Sequence, residues 1–96
     1  MPNVARVGDA DTNHPPCGAG SCATGSNNVT ANNIPVHRVG DTNTPHGFIL
    51  CVPHSTALVT GSPNVFANNQ AVGRIGDAYS CGITVNAGSP NVIANG

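Results

Sequence analysis

The polar and apolar positions of this chain alternate in very short runs that are repeatedly cut by turn-forming residues. Asn28-Val29-Thr30-Ala31 and Asn64-Val65-Phe66-Ala67 are each followed by a pair of asparagines, Asn32-Asn33 and Asn68-Asn69, and then by a second β-rich run ending in Arg-Val-Gly-Asp or Arg-Ile-Gly-Asp. Asparagine tolerates the positive φ that a tight two-residue hairpin turn demands, so each pair predicts a β-hairpin. The Ala/Leu/Glu/Lys periodicity of a helix does not occur, and the pattern points to an all-β fold.

Two blocks recur three times each. The first is Arg6-Val7-Gly8-Asp9, Arg38-Val39-Gly40-Asp41 and Arg74-Ile75-Gly76-Asp77; the second is Gly25 to Asn32, Gly61 to Asn68 and Gly88 to Asn95. Self-similarity of this kind marks a repeated supersecondary unit. The first unit opens with only its second arm, Val4 to Asp9, and the last stops after its first arm. The terminal run around Val92 to Ala94 is therefore expected to pair with the run around Val4 to Val7, completing a third hairpin split between the chain ends. The result would be a small, conical, pseudo-threefold arrangement of three hairpin repeats, a single domain over residues 1–96, closed so that no strand edge is left open.

The segments between the blocks differ in length, and if the hairpins are equivalent these loops gather on one side. Counted from each Asp of the first block, matched positions carry His14, His46 and Cys81, one potential metal ligand per repeat. His54, in the longest loop, supplies a fourth donor, with Cys51 as its alternative. Three imidazoles and one thiolate suit a closed tetrahedral zinc site that pins the apex; iron has a similar ligand preference. Four protein ligands leave no position for water, so such an ion is structural. Cys17, Cys22 and Cys51 are then read as thiols outside the site, and His37, in a hairpin arm, as a packed or solvated residue.

Composition narrows the possibilities further. With two Phe, one Tyr, no Trp and 12 Gly among 96 residues, the chain cannot build a large apolar core. Small scaffolds of this type depend on an added constraint such as a metal or a partner. Charged residues are 7% of the chain and the net charge is -1, which argues against nucleic acid as a partner. No run is long enough to cross a membrane, and the start has no signal-peptide pattern, so synthesis in the cytoplasm is expected, with any delivery outside the cell left to a dedicated machine. No Glu is present, and Asp11 is the one acidic residue outside the repeated blocks. A zinc-dependent hydrolase would need an open coordination position and a general base, and the chain is expected not to be an enzyme and to take no small-molecule substrate.

All three arginines sit in the first block, three residues before an Asp. They are either local ion-pair partners or, as Arg6, Arg38 and Arg74 together, part of a triangular base that docks on a partner of threefold symmetry. A stand-alone zinc-binding interaction module is the competing possibility.

The repeated Arg-Val-Gly-Asp and Gly-Ser-x-Asn-Val-x-Ala-Asn blocks, with the His/His/Cys loops, resemble the proline-alanine-alanine-arginine (PAAR) repeat proteins over essentially the whole chain. The tetrapeptide itself is not intact: the matching segments read Asn3-Val4-Ala5-Arg6, Pro35-Val36-His37-Arg38 and Ala71-Val72-Gly73-Arg74. The resemblance implies a cone with zinc near its point, held by His14, His46, His54 and Cys81. It also implies a seat on a trimeric β-helical spike, VgrG-like or a phage central spike, one chain per trimer. On this reading the chain is the tip of a type VI secretion or phage-tail apparatus that pierces a membrane without inserting stably in it. Beginning and ending within the repeats, it looks like a bare tip without an effector.

Overall fold

The computed structural model describes residues 2–12, 20–44, 46–48 and 51–94, with residues 46–48 and 51–54 described by their backbone alone. Among the described residues there are six short strands and no helix, which bears out the all-β expectation. They form three antiparallel two-stranded pairs: β1 (Thr30–Ala31) with β2 (Ile34–Pro35), β3 (His46–Phe48) with β4 (Cys51–His54), and β5 (Phe66–Ala67) with β6 (Gln70–Ala71).

The first and last pairs are the hairpins that the asparagines announce. Asn32 and Asn33 have φ of 56° and 64°, and Asn68 and Asn69 have 55° and 66°. Two successive positive-φ residues give the turn whose twist matches that of the flanking strands. The third hairpin is indeed shared by the chain ends: Asn3 bridges Ile93, the Val4 N–H donates to the Val92 carbonyl at 2.9 Å, and the Ala94 N–H donates to the Pro2 carbonyl at 3.1 Å. This pairing centres on Asn3 and Val4 rather than extending to Val7. The reason is that each arm turns away from its own hairpin and toward the next repeat. Val7 N–H goes to Pro35, Val39 N–H to Ala71 and Ile75 N–H to Asn3.

These handovers close a ring. The Ala5 N–H donates to the Gly73 carbonyl (2.9 Å), the Gly73 N–H to His37 (2.7 Å) and the His37 N–H to Ala5 (2.9 Å), so three residues from three repeats form a three-membered cycle of backbone bonds. Such a cycle satisfies every participating group without a free sheet edge. Gly73 is needed there, since a Cβ would stand 2.6 Å from Leu58 Cδ2 and 3.2 Å from the His37 carbonyl oxygen.

Each first block is a tight turn closed by its own Asp. The Arg backbone N–H donates to the Asp Oδ2 at 2.8–2.9 Å, and the glycines at 8, 40 and 76 take φ of 94°, 94° and 92°. Side chains other than glycine are strained in that region.

Two apolar clusters meet at the ring. One contains Val4, Val36 and Val72 with Ala31, Ala67 and Ala94; the other contains Ala5, Cys22, Leu58, Tyr79, Ile83 and Val85, with Cys81 packed against it. Val4 and Ala5 are neighbours in sequence yet belong to different clusters, so the cycle of Ala5, His37 and Gly73 stands between the two.

Candidate functional site

On the side of the second cluster lie Cys81 and the loop of the second repeat, which carries His46 and His54. That loop contains the β3–β4 hairpin, and its register sets His46 directly opposite His54. A shift in register between His46 and Phe48 then brings Phe48 opposite Cys51, at the far end of the hairpin. The backbone thus pairs His54, and not Cys51, with His46. Cys81 lies in the last repeat as a free, half-buried thiol, and its Sγ is 3.2 Å from the Oγ1 of Thr56, two residues beyond His54. Three candidate positions therefore converge on one stretch of chain. His14 and Cys17 lie outside the described residues, as do the side chains of His46, Cys51 and His54. Among the described residues no three His, Cys, Asp or Glu side chains form a metal-holding group.

Beneath these loops runs a buried polar chain that was not legible in the sequence. His37 is completely buried; its Nδ1 lies 2.6 Å from the Thr24 carbonyl oxygen and its Nε2 lies 2.9 Å from the Tyr79 hydroxyl. A carbonyl only accepts, so Nδ1 carries the proton and Nε2 accepts from Tyr79. The Tyr79 oxygen is in turn 3.4 Å from Cys22 Sγ. Burial lowers the His37 pKa from its ordinary value, partly offset by the Thr24 bond, and it pushes the Cys22 thiol up to about 12. Burial also raises the Tyr79 pKa, as do the neighbouring Cys22 and Asp11. All three groups are thereby held neutral, which is how a dry interior tolerates polar side chains. Cys22 is a free thiol sealed inside the core.

The three arginines are engaged within the chain. In each repeat Nε donates to Oδ2 and Nη2 to Oδ1 of the Asp three residues on, at 2.8–3.1 Å, and Nη2 also reaches the carbonyl of Gly88, Gly25 or Gly61, the glycine that opens the other arm of the same hairpin. The guanidinium side chains of Arg6, Arg38 and Arg74 are only 15%, 17% and 11% exposed. This two-pronged geometry is the strong form of the Arg–carboxylate bond. Burial tends to raise the Asp41 carboxyl, but the bonds from Arg38 and Thr24 outweigh it and hold the group below its ordinary value.

On the other side, beyond the first cluster, lies an exposed apolar surface. Val29, Val65 and Val92 occupy the same position in the three Gly-Ser-x-Asn-Val blocks and are 37%, 36% and 37% exposed. Each is anchored alike, its N–H donating to the hydroxyl of Ser26, Ser62 or Ser89 three residues earlier. Phe66 and Ile93 follow two of these valines and are also exposed. The repeated block contained this signal, since the same valine recurs at the same position of all three units.

An all-β chain whose repeats hand backbone bonds to one another in a closed cycle is a repeat protein wound into a ring. The family model of the PAAR motif matches residues 12–87, well over half of the chain, and the chain belongs to that family. The family is one of structural spike-tip proteins. No curated protein matches the chain closely enough to count as a relative.

Proposed function

We propose that this protein is the non-enzymatic tip of a membrane-piercing spike, one chain seated on the end of a trimeric β-helical spike protein of the VgrG or phage-tail type. The observation that carries the reading is the trio Val29, Val65 and Val92, equally exposed at matched positions of three units joined in a cycle. A pseudo-threefold cone presents three alike apolar contacts to a partner whose own symmetry is threefold, and shape match of this kind is what an apolar docking face requires. Phe66 and Ile93 enlarge the contact on two of the three sides. Arg6, Arg38 and Arg74 serve that end from within, by holding the hairpins in position.

Zinc near the apex fits the donor set. His46 and His54 are register partners, and Cys81 is tied to Thr56 beside them. With His14 these residues would hold one zinc ion, iron being the alternative, and the ion would supply a structural cross-link among loops that belong to different repeats. In this reading residues 1–96 act as one domain, made in the cytoplasm and carried outward with the spike of a type VI secretion or contractile phage apparatus.

Native mass spectrometry of the chain mixed with its cognate spike, combined with elemental analysis, tests the proposal. One chain and one metal ion per three spike chains is the expected result; a one-to-one complex refutes the axial seat.

A further inference from the structure

A directed set of hydrogen bonds leads to the Cys81 sulfur. The Asn43 backbone N–H donates to the Thr56 carbonyl at 3.0 Å, and the Thr56 N–H donates to Asn43 Oδ1 at 2.7 Å. Because a backbone N–H can only donate, that second bond fixes which end of the Asn43 amide is oxygen. The Nδ2 end is thereby left to donate to Thr56 Oγ1, 3.1 Å away. Asn43 is 1% exposed, so its amide has no water to turn toward. Thr56 Oγ1 lies 3.2 Å from Cys81 Sγ, and its hydroxyl proton, which the bond from Asn43 does not use, is available to a sulfur that has lost its own.

We infer that Thr56, oriented by Asn43, is a positioning residue whose hydroxyl hydrogen-bonds the Cys81 sulfur and holds it in place as a metal ligand. The inference rests on the metal reading given above. A metal-bound thiolate can only accept hydrogen bonds, and the Thr56 hydroxyl, whose proton Asn43 does not use, can donate to it. Partners that orient a ligand from behind commonly matter about 10- to 100-fold in metal affinity. The matching positions in the other two repeats are Asp11 and Tyr79, so the second repeat alone has an amide here, and it is also the repeat whose loop carries His46 and His54.

Cobalt(II) binding to the full chain tests this. The wild-type protein is expected to show a sulfur-to-cobalt charge-transfer band that Cys81→Ser abolishes. Thr56→Val should bind cobalt about 10- to 100-fold more weakly, with the band moved to lower energy because the sulfur has lost its hydrogen bond. Thr56→Ser should restore both properties. Asn43→Asp should act like Thr56→Val, since a carboxylate takes the hydroxyl proton for itself. It also provides the answer should Thr56→Val fail to fold, because the first repeat already buries Asp11 at the matching position. A variant of either kind with wild-type affinity and band overturns the inference, as does a Cys81→Ser protein that keeps the band. A wild-type chain that takes up no cobalt refutes the metal reading itself.

Discussion

On one side of the Ala5–His37–Gly73 cycle the three repeats contribute identical side chains, and on the other they share almost none. The first cluster is Val4, Val36 and Val72 over Ala31, Ala67 and Ala94. Across the cycle, Asp11, Asn43 and Tyr79 occupy one set of matched positions and bridge to Val85, Cys22 and Leu58 respectively. The backbone closes in the same way in both regions; only the filling differs. Where the repeats converge, three side chains compete for one volume, and a complete His37 is accommodated because its counterparts are an alanine and a glycine. Interiors conserve total volume more strictly than individual residues. A single chain can divide space unequally in this way, whereas a homotrimer must place the same residue three times. One region therefore keeps its regularity, and the other is released to build a polar chain and the loops above it.

The largest test of this contrast is to open the ring. Removing residues 91–96 takes away the Val92 carbonyl that accepts from Val4 and the buried Ala94. It should lower the melting temperature of the whole chain more than any single substitution, as one cooperative loss in a calorimetric scan; fraying confined to one end would contradict the closure. Tyr79→Ala should cost about 3–5 kcal/mol in denaturant unfolding, as expected for deleting a large buried aromatic that also leaves His37 and Cys22 without their partner. By contrast Val4→Ala, Val36→Ala and Val72→Ala should each cost about 1.5–3 kcal/mol, and by closely similar amounts, because their surroundings are alike. Clearly unequal losses among these three would break the comparison.

The smallest effect is one of pH. Burial holds His37 below its usual value of 6.5, so below that pH the unfolded chain takes up more protons than the folded one. The contribution of His37 is therefore complete above 6.5 and is lost as pH falls through the lowered folded value. With a chelator present throughout, stability should decline with acidification below 6.5 more steeply for the wild type than for His37→Gln. Parallel profiles would mean that the buried imidazole is not the responsible group. Asp41 follows the same sign lower down: its folded value is held under 3.8, and its contribution is lost only as pH falls below that.

Much of the architecture was readable because it is local or repeated. Asn32-Asn33 and Asn68-Asn69 specify their turns through their own φ preference, and the Arg-Val-Gly-Asp block folds on itself within four residues. The shared terminal hairpin was readable because the two missing arms lie at opposite ends. The β3–β4 hairpin was not, since Ile49-Leu50 offers none of the usual turn formers and strand-disfavouring Pro45 and Pro53 lie close by. His14, His46 and Cys81 were picked out in the sequence as candidates by their similar distance from each Asp, but the Asn43–Thr56–Cys81 network was not legible, because its members are 13 and 25 residues apart and Cys81 comes from a different repeat.

The amino-acid order by itself determined the all-β character, the two Asn-Asn turns, the three-unit repetition and the family, because each depends on residue type at short range or on recurrence along the chain. Only the tertiary structure decided which arm hands its bonds to which neighbour, that His37 rather than a Leu or Phe fills the centre, and that the arginines are spent internally. Those outcomes depend on closing the ring, where one volume and one set of backbone donors are shared among three distant segments, and no local stretch of sequence contains that constraint.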